Sequence, residues 1–448
     1  MDAQNFTQGK ILGPLMRFAV PVAAALLLQS LYGAADLLVV GRYASSADVS
    51  AVSTGAQIMQ TIVSLIAGLA MGTTILLGQQ IGENRTDQAG KTVGTSIVFF
   101  GALAAVMSMV MLVNTRGAAH LMNAPEAAFE QTCAYLRICS GGLVFITAYN
   151  LLGSLFRGIG NSRIPLLSVA VATIANIAGD LVLVRSFGLG AAGAAWATVG
   201  AQFLSVLISL YFIRSSRLPF RLRKDDLRFD SGLIRRILGF GIPIAVMDLL
   251  VGISFLVILA IVNSLGVLVS AGVGVAEKVC SFIMLVPSAF GQSIASFTAQ
   301  NYGASRIERA YKGLVYGIAV SFGFGALMAW LSFFHGDLLC GVFSRDAEVV
   351  MMGWEYMKAY AIDCLLVSFF FCLTGFFNGC GYTGFVMIQG VAGAFLFRIP
   401  VAWFMSRQVP VSLFRVGLAT PASSFMQCVM CFAYLAYVRK ELNRHRSA

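Results

Sequence analysis

Long apolar runs separated by short polar segments recur along the whole chain. Each run approaches or exceeds the roughly 18 to 20 residues that a helix needs to cross the hydrocarbon of a bilayer. None alternates apolar and polar residues as the strands of a membrane barrel do. Because backbone groups in lipid must be satisfied internally, the runs are predicted to be membrane-spanning helices. The twelve predicted spans are centred near Ala25, Val63, Ala104, Val144, Ala175, Phe203, Ser254, Met284, Phe322, Ser368, Phe395 and Met430.

Composition indicates the same environment. The 448 residues are 58% hydrophobic and 11% charged, and the mean hydropathy is +0.82, which excludes a water-soluble domain of this length. Residues 1–18 carry their basic side chains among polar ones and lack a small-residue cleavage site, unlike a secretory signal peptide. Residues 14–40 are therefore expected to remain as the first span.

Lysine and arginine predict the orientation of the spans. If the amino terminus is cytoplasmic, 21 of the 31 basic residues fall in cytoplasmic segments and seven on the opposite side. This bias is the positive-inside pattern, so both termini are expected in the cytoplasm. The net charge of +11 then reflects topology, and no nucleic-acid partner is expected.

The residue types exclude most enzyme chemistries. The nine cysteines are scattered through apolar segments, and the CxxC pair Cys428 and Cys431 has no second pair and no nearby histidine. The three histidines, His120, His335 and His445, lie at span ends or in the tail. Without a nucleophile arrangement, a metal-ligand cluster or a nucleotide motif, neither an enzyme nor a cofactor nor a bound metal is predicted.

The two halves of the chain are related in sequence. Three stretches of the first half match three of the second half in the same order, two at a shift of 221 residues and one at 222. The pairs are GQQIGENRTDQAGK (78–91) with AQNYGASRIERAYK (299–312), LFRGIGNS (155–162) with FFNGCGYT (376–383), and FAVP, ending at Pro21, with FGIP, ending at Pro243. An internal repeat of this kind predicts a duplicated six-helix unit.

The longest polar segment, 214–241, lies between the predicted sixth and seventh spans. The sequence therefore predicts an amino-terminal six-helix lobe over 1–213, a cytoplasmic linker over 214–236 and a carboxyl-terminal six-helix lobe over 237–448. The linker mixes arginine with leucine and phenylalanine, which is typical either of an interfacial helix on anionic headgroups or of a solvated connection. Six spans per repeat place the pseudo-twofold axis along the membrane normal, which predicts an all-α membrane transporter with a cavity between two bundles.

Acidic residues inside the spans are the candidates for chemistry, since an ionisable group in the membrane is by default a functional one. Five of the twenty lie well inside: Asp36, Asp180, Asp248, Glu277 and Asp363. Asn176 lies four residues before Asp180, on the same helix face. The fourth span adds Asn150 and the sixth adds Thr198. The first lobe is thus predicted to hold two acids with three polar neighbours.

The carboxylates of Asp36 and Asp180 have three interpretations. Burial and like charge favour the protonated form, so the pair can exchange protons. Several oxygen atoms in one place can instead coordinate a sodium ion. In the third interpretation, the side chains form only a satisfied hydrogen-bond network between helices. The residue types alone leave the three open.

The repeat, together with FAVPVAAALLLQSLYGAADLLVVGR, GQQIGENR and LFRGIGNSRIP, resembles the multidrug and toxic compound extrusion (MATE) family over about residues 10–440. The resemblance implies that Asp36 belongs to the polar cluster of proton-coupled prokaryotic members, where protonation accompanies bending of the first helix at Pro21. A proline lacks an amide hydrogen and weakens the helix locally. The other members of the cluster match Asn150, Asn176, Asp180 and Thr198.

The second lobe fits the resemblance less well. Sodium-coupled relatives use a glutamate of the seventh span and an aspartate of the tenth, where this chain has Asp248 and Asp363, but Asp248 follows the proline of its span too closely. The possible cation or substrate site of this lobe comprises Asp248, Glu277 and Asp363. A structural ion pair of Glu277 with Lys278 or Arg398 is slightly favoured over a substrate site.

The resemblance implies a cation-coupled antiporter of the prokaryotic cell inner membrane, with the proton as the expected coupling ion, that exports amphipathic or cationic organic compounds by alternating access. The expected partners are these compounds and membrane lipids, and a monomer is expected. Sodium-coupled efflux and a lipid-linked glycan flippase of the wider superfamily are the alternatives within transport. Twelve spans with acids inside them argue against the flippase. A receptor that does not transport is the alternative from another class.

Overall fold

The computed structural model of the chain describes residues 5–215, 218–220 and 222–446, with side chains described as far as residue 439. Within these residues the regular structure is helical and contains no strand. The helices are α1 Leu12–Tyr43, α2 Ser46–Gly82, α3 Thr86–Val113, α4 Thr115–Leu121, α5 Phe129–Gly141, α6 Leu143–Gly158, α7 Arg163–Asp180, α8 Gly190–Ser215, α9 Ser231–Asn263, α10 Val267–Ile283, α11 Leu285–Gly303, α12 Ile307–Phe334, α13 Gly336–Gly341, α14 Ala347–Cys380, α15 Thr383–Ala392, α16 Ile399–Ser406, α17 Leu413–Gly417 and α18 Ala419–Arg446. Short 3-10 turns cover Glu126–Ala128 and Lys224–Asp226, and π-helical segments cover Leu181–Ser186 and Gly393–Arg398.

Twelve membrane crossings account for the long helices of the described residues. Eleven segments are long and apolar enough to cross a bilayer as single runs, and the pair Glu126–Gly141 and Leu143–Gly158, bent by 52°, makes the twelfth. The predicted all-α membrane fold is therefore confirmed, and each predicted span centre lies inside its own crossing. The fourth span consists of α5 and α6, the eighth of α10 and α11, and the eleventh of α15, a π-helical segment and α16.

Several spans are interrupted where the apolar pattern predicts unbroken helices. The fourth bends at Gly142, where an added Cβ would overlap the Val199 side chain of α8, so the absence of a side chain allows the close approach. The eighth is interrupted at Met284. The fifth and eleventh each contain a π-helical segment, a feature that often marks a functional position in a helix.

The described residues form two compact units. The first unit holds the described residues of 5–9, 16–245 and 299–306, and the second holds those of 10–15, 246–298 and 307–446. In the segment predicted as a linker, Arg217 and Arg221 lie outside the described residues, and the described ones form a single 3-10 turn and no longer helix before α9 begins at Ser231. The predicted lobe boundary at residue 237 falls inside α9.

Each unit has an apolar core of its own. In the first unit it includes Ile66 of α2 and Leu136 of α5, and in the second it includes Val273 of α10 and Met357 of α14, all fully buried. Lipid is as apolar as these side chains, so apolar burial gives little drive for helix association in a bilayer. Close contact between backbones at small residues therefore carries much of the packing.

The backbone repeats at the spacing found in the sequence. Asn84 and Ser305, which are 221 residues apart, both adopt the left-handed conformation, with φ of 58° and 56°. Gly160 and Gly381, at the same separation, do so with φ of 81° and 90°. Left-handed residues commonly end helices, and these four follow the ends of α2, α11, α6 and α14.

In the first unit, the carboxyl-terminal ends of α2 and α11 cross at two glycines. A Cβ on Gly82 would overlap the carbonyl oxygen of Gln300, and a Cβ on Gly303 would overlap the carbonyl oxygen of Gln79. These two contacts are related by the 221-residue repeat. Small residues four positions apart on both helices form the small-xxx-small pattern that lets membrane helices touch through their backbones.

Alanine at either glycine of this crossing is expected to destabilise the protein, because a backbone oxygen cannot move aside as a flexible side chain can. Overpacking of this kind typically lowers stability by about 1 to 3 kcal/mol. The matched control is Gly101→Ala in α3, where an added Cβ meets nothing within 4 Å. Thermal unfolding of purified Gly82→Ala and Gly303→Ala in detergent should give lower midpoints than the control. Equal midpoints for the three variants would show that the crossing can widen freely.

Candidate functional site

The structure brings four of the predicted polar residues together inside the first unit. Asp36 comes from α1, Asn176 and Asp180 from the end of α7, and Thr198 from α8. Asp36 is 5% exposed, and Asn176 and Asp180 are completely buried. The one-face spacing of Asn176 and Asp180 that the sequence predicts is therefore used to meet a carboxylate from another helix.

Local backbone features place these side chains. Asp180 is the last residue of α7, and the π-helical segment Leu181–Ser186 begins directly after it. One turn earlier along this helix pair, an added Cβ on Gly179 would lie 3.0 Å from the Cβ of Ala197 in α8. Because α7 and α8 approach so closely, Thr198, the neighbour of Ala197, reaches the carboxylates.

Hydrogen bonds satisfy only part of this cluster. The Thr198 hydroxyl donates to Oδ2 of Asp36 at 3.3 Å, and Asp36 also lies within interaction range of Asp180 and Asn176. The buried polar atoms without a conventional donor or acceptor partner are Oδ1 of Asp36, both side-chain polar atoms of Asn176 and both carboxylate oxygens of Asp180. Buried polar groups are normally paired, so the cluster has capacity for a further ligand.

The two carboxylates have no basic partner. The ion pairs among the described residues all lie elsewhere, between Arg85 and Glu83, Arg116 and Glu130, and Arg228 and Asp225. Charges buried among apolar helices need compensation. A proton or a small cation is the ligand that this arrangement can accept.

Sequence reasoning missed three residues around the cluster. Tyr32 of α1 lies beside Thr198 and Asp36, and Tyr135 and Cys139 of α5 lie close to Tyr32 and Asp36. Tyr32 precedes Asp36 by four residues, and this same-face spacing is a signal that would have identified it. No comparable signal exists for the two α5 residues, because only the bend of the fourth span and its packing bring them there.

Asn150 and Pro21 lie apart from this hydrogen-bonding cluster. The amide of Asn150 in α6 donates to the carbonyl oxygen of Ile146 in its own helix, at 2.9 Å. Pro21 lies inside α1, which continues through it as one helix and reaches Asp36 about four turns later. The proposed bend at Pro21 therefore stays a prediction.

The second unit disperses its predicted residues. Asp363 of α14 is buried, Glu277 of α10 is half-buried, and Asp248 of α9 is exposed on the surface. Lys278 is also exposed, and no ion pair joins Glu277 to Lys278 or to Arg398. The predicted structural ion pair of Glu277 is thus not formed, because Lys278 points to the outside of its helix. No group of three acidic, histidine or cysteine side chains suited to a metal occurs among the described residues.

Comparison with known proteins matches the chain at every level. The MatE family model matches residues 21–182 and again residues 243–404, two segments that differ in position by the 222 residues of the internal repeat. The chain is 24% identical to the probable multidrug resistance protein YoeA of Bacillus subtilis (strain 168), over 95% of this chain and 93% of the relative. It is 26% identical to the multidrug export protein MepA of Staphylococcus saprophyticus, over 90% of this chain and 88% of the relative.

A solved structure has the same fold. The crystal structure of MATE in the bent conformation superposes with a TM-score of 0.93 at 18% identity, covering 100% of both chains. At this identity the similarity establishes the arrangement of the helices only. The residues that carry chemistry must be argued from this chain.

The two asparagines are expected to differ in their effect on ion dependence. Asn176→Leu removes an amide that lies between the carboxylates, so it should change at least about twofold the H+ or Na+ concentration that half-maximally shifts the unfolding temperature. Asn150→Leu should leave that concentration unchanged, because this amide bonds its own helix. The measurement is thermal unfolding of purified protein over series of pH and Na+ concentration. Equal changes in both variants would place Asn150 in the site.

Proposed function

The chain belongs to the MatE family, and from this premise we propose that it is a proton-coupled antiporter that exports amphipathic or cationic organic molecules. Family membership makes the chain a multidrug-efflux type of membrane transporter rather than an enzyme. The named relatives are multidrug resistance and export proteins. The coupling ion, the antiport mechanism and the substrate class are the parts that we propose.

The observation that carries the proposal is the buried pair of Asp36 and Asp180 without a basic partner. Asp36 and Asp180 are hydrogen-bonding neighbours, and two carboxyl groups hydrogen-bond only when one of them carries a proton. The arrangement therefore favours one shared proton over two ionised carboxylates. A coupling proton is a proton that this pair gains on one side of the membrane and loses on the other.

The mechanism is competition between the proton and a cationic substrate. With the pair deprotonated, its negative charge favours a positively charged substrate. When a proton enters from outside, the charge is neutralised and the substrate is released. A ligand shifts a conformational equilibrium only through its differential affinity for the two states, so proton and substrate must favour opposite states of the transporter.

The membrane placement follows from the same premise. We propose the cell inner membrane, with both termini in the cytoplasm, since the basic residues concentrate on that side. The substrates are small organic molecules, and the protein acts as a monomer surrounded by lipid.

Sodium is the second candidate for the coupling ion. The carboxylate oxygens of Asp36 and Asp180, the amide oxygen of Asn176 and the hydroxyl of Thr198 are hard oxygen ligands of the type that alkali cations prefer. The choice between the two ions is made by the gradients imposed in the following experiment.

Transport in liposomes is expected to follow a pH gradient and to require Asp36. Purified protein is reconstituted, and movement of a fluorescent lipophilic cation is followed under a pH gradient, a Na+ gradient or neither. Asp36→Asn should reduce gradient-driven transport at least about tenfold, because the amide cannot take up and release a proton. The matched control is Glu130→Gln, an acid whose side chain is 67% exposed and pairs with Arg116 at the surface.

The remaining outcomes contradict parts of the proposal. Transport driven by Na+ and indifferent to pH would assign sodium as the coupling ion. Asp36→Asn transporting as well as Glu130→Gln would remove the coupling role from the first unit. If no gradient drives any organic cation, a lipid-linked cargo becomes the substrate to test.

Equilibrium binding of substrate is expected to weaken as the pH falls. If one proton competes with one cationic substrate, the dissociation constant rises by up to about tenfold per pH unit in the range where the pair titrates. Fluorescence polarisation of a dye cation on detergent-solubilised protein measures this directly. In Asp36→Asn/Asp180→Asn the dissociation constant should be high and independent of pH, whereas a pH dependence that persists in this variant would point to another group.

A further inference from the structure

The second unit contains a helix irregularity like the one that accompanies Asp180. In the fifth span, a π-helical segment starts directly after Asp180, and in the eleventh span the π-helical segment Gly393–Arg398 ends on Arg398. π-Helical segments recur at functional positions in helices. One segment thus accompanies a buried acid of the first unit, and the other carries a buried base of the second.

Arg398 is held in the core of the second unit. Its side chain is 6% exposed, and Nη1 donates to the hydroxyl of Ser254 at 3.2 Å. The guanidinium carbon lies 4.4 Å from the centre of the Phe255 ring, within the range of a cation–π contact. Nε is buried and has no hydrogen-bond partner. A guanidinium stays protonated in proteins, so this site holds a permanent positive charge.

The buried carboxylate that answers this charge is Asp363. It is 1% exposed, and it and Arg398 attract each other electrostatically. They do not form a direct ion pair, since the close pairs of the described residues lie elsewhere. One carboxylate oxygen of Asp363, Oδ1, has no hydrogen-bond partner, and Ser424 of α18 lies beside the group.

The other ionisable groups around this pair are neutral or lie further from Arg398. Those with an electrostatic influence within the cluster are Tyr356, Tyr360, Cys280, Cys364, Cys428 and Glu277. Tyrosine and cysteine buried in an apolar core bring no positive charge. Glu277 is half-buried on α10, and the attraction on Arg398 comes from Asp363 and from the tyrosines rather than from Glu277. Arg398 is therefore the source of positive charge for Asp363.

We propose that Arg398 is a resident cation that takes the electrostatic place of a coupling ion at Asp363 and so closes this carboxylate to sodium and protons. The inference deepens the proposed function, on which it rests: exchangeable coupling then occurs at Asp36 and Asp180, which have no base, and Asp363 does not contribute. Because the guanidinium is covalently part of the chain, it neutralises the acid in every state in which the two stay close, and no ion from solution is needed.

The test is the binding of radioactive sodium to the purified full chain at about pH 8, combined with proton uptake measured by a pH indicator in weakly buffered solution. Wild type and Asp363→Asn are expected to bind Na+ equally, since Asp363 has no part in it. Arg398→Gln should gain a saturable Na+ site, or an equivalent proton uptake, at the carboxylate that has lost its counter-charge. Arg398→Gln/Asp363→Asn should lose this gain, and Arg398→Lys should resemble wild type because it keeps the charge.

Two results would overturn the proposal. The first is Na+ binding in wild type that Asp363→Asn abolishes, which would make Asp363 an exchangeable site despite Arg398. The second is a folded Arg398→Gln variant that gains neither Na+ binding nor proton uptake over the double variant. Removing one partner of a buried charge pair is strongly destabilising, so if Arg398→Gln does not fold, the comparison of wild type with Asp363→Asn still decides.

The outcome is separate from that of the proposed function. Sodium binding at Asp363 is measured without transport, and the transport assay depends on Asp36. If Asp36→Asn transports normally while Arg398→Gln gains a cation at Asp363, coupling through α1 fails but the role of Arg398 stands. If Asp36→Asn loses transport while Asp363 already binds Na+ in wild type, only the role of Arg398 fails.

Discussion

A charge among apolar helices must be compensated, and this constraint governs both units of the protein. Water stabilises a carboxylate that apolar side chains and lipid cannot, so a buried acid needs a proton, a cation or a basic side chain. The first unit buries Asp36 and Asp180 without a base, which makes their compensation exchangeable. The second buries Asp363 in the same core as Arg398. A duplicated fold has thus been given two different electrostatic solutions.

The same apolar solvent explains why glycine and alanine carry the helix contacts. Without a hydrophobic drive between helices in lipid, association depends on van der Waals contact and on hydrogen bonds. In the first unit α2 meets α9 with Gly68 against Ala245 and Gly72 against Gly241, and it meets α11 at Gly82. At these positions backbone touches backbone, so a single methyl group has nowhere to go. α2 is therefore a shared support against which other helices of its unit are set.

Helix irregularities are placed where side chains have to be aimed. A backbone that departs from regular α-helix inside a membrane is tolerated only where protein surrounds it. Here the π-helical segments adjoin Asp180 and Arg398, and the bend at Gly142 allows α5 to bring Tyr135 and Cys139 towards the carboxylates. The widened turns rotate the following residues around the helix axis. This changes which side chains face the core without changing the number of spans.

The sequence by itself determined the solvent, the twelve spans, the repeat and the acids that matter most. Apolar length, the 221-residue shift and the i, i+4 spacing of Asn176 and Asp180 are one-dimensional signals that survive folding. Only the tertiary structure decided which polar groups meet: Asn150 bonds its own helix, Asp248 and Lys278 lie exposed, and Tyr135 and Cys139 approach Asp36. The physical reason is that rotation of a helix about its axis, and any π turn within it, sets the direction of each side chain. That rotation is fixed by packing against other helices, and hydrophobicity that is nearly uniform around a membrane helix leaves it undetermined in the sequence.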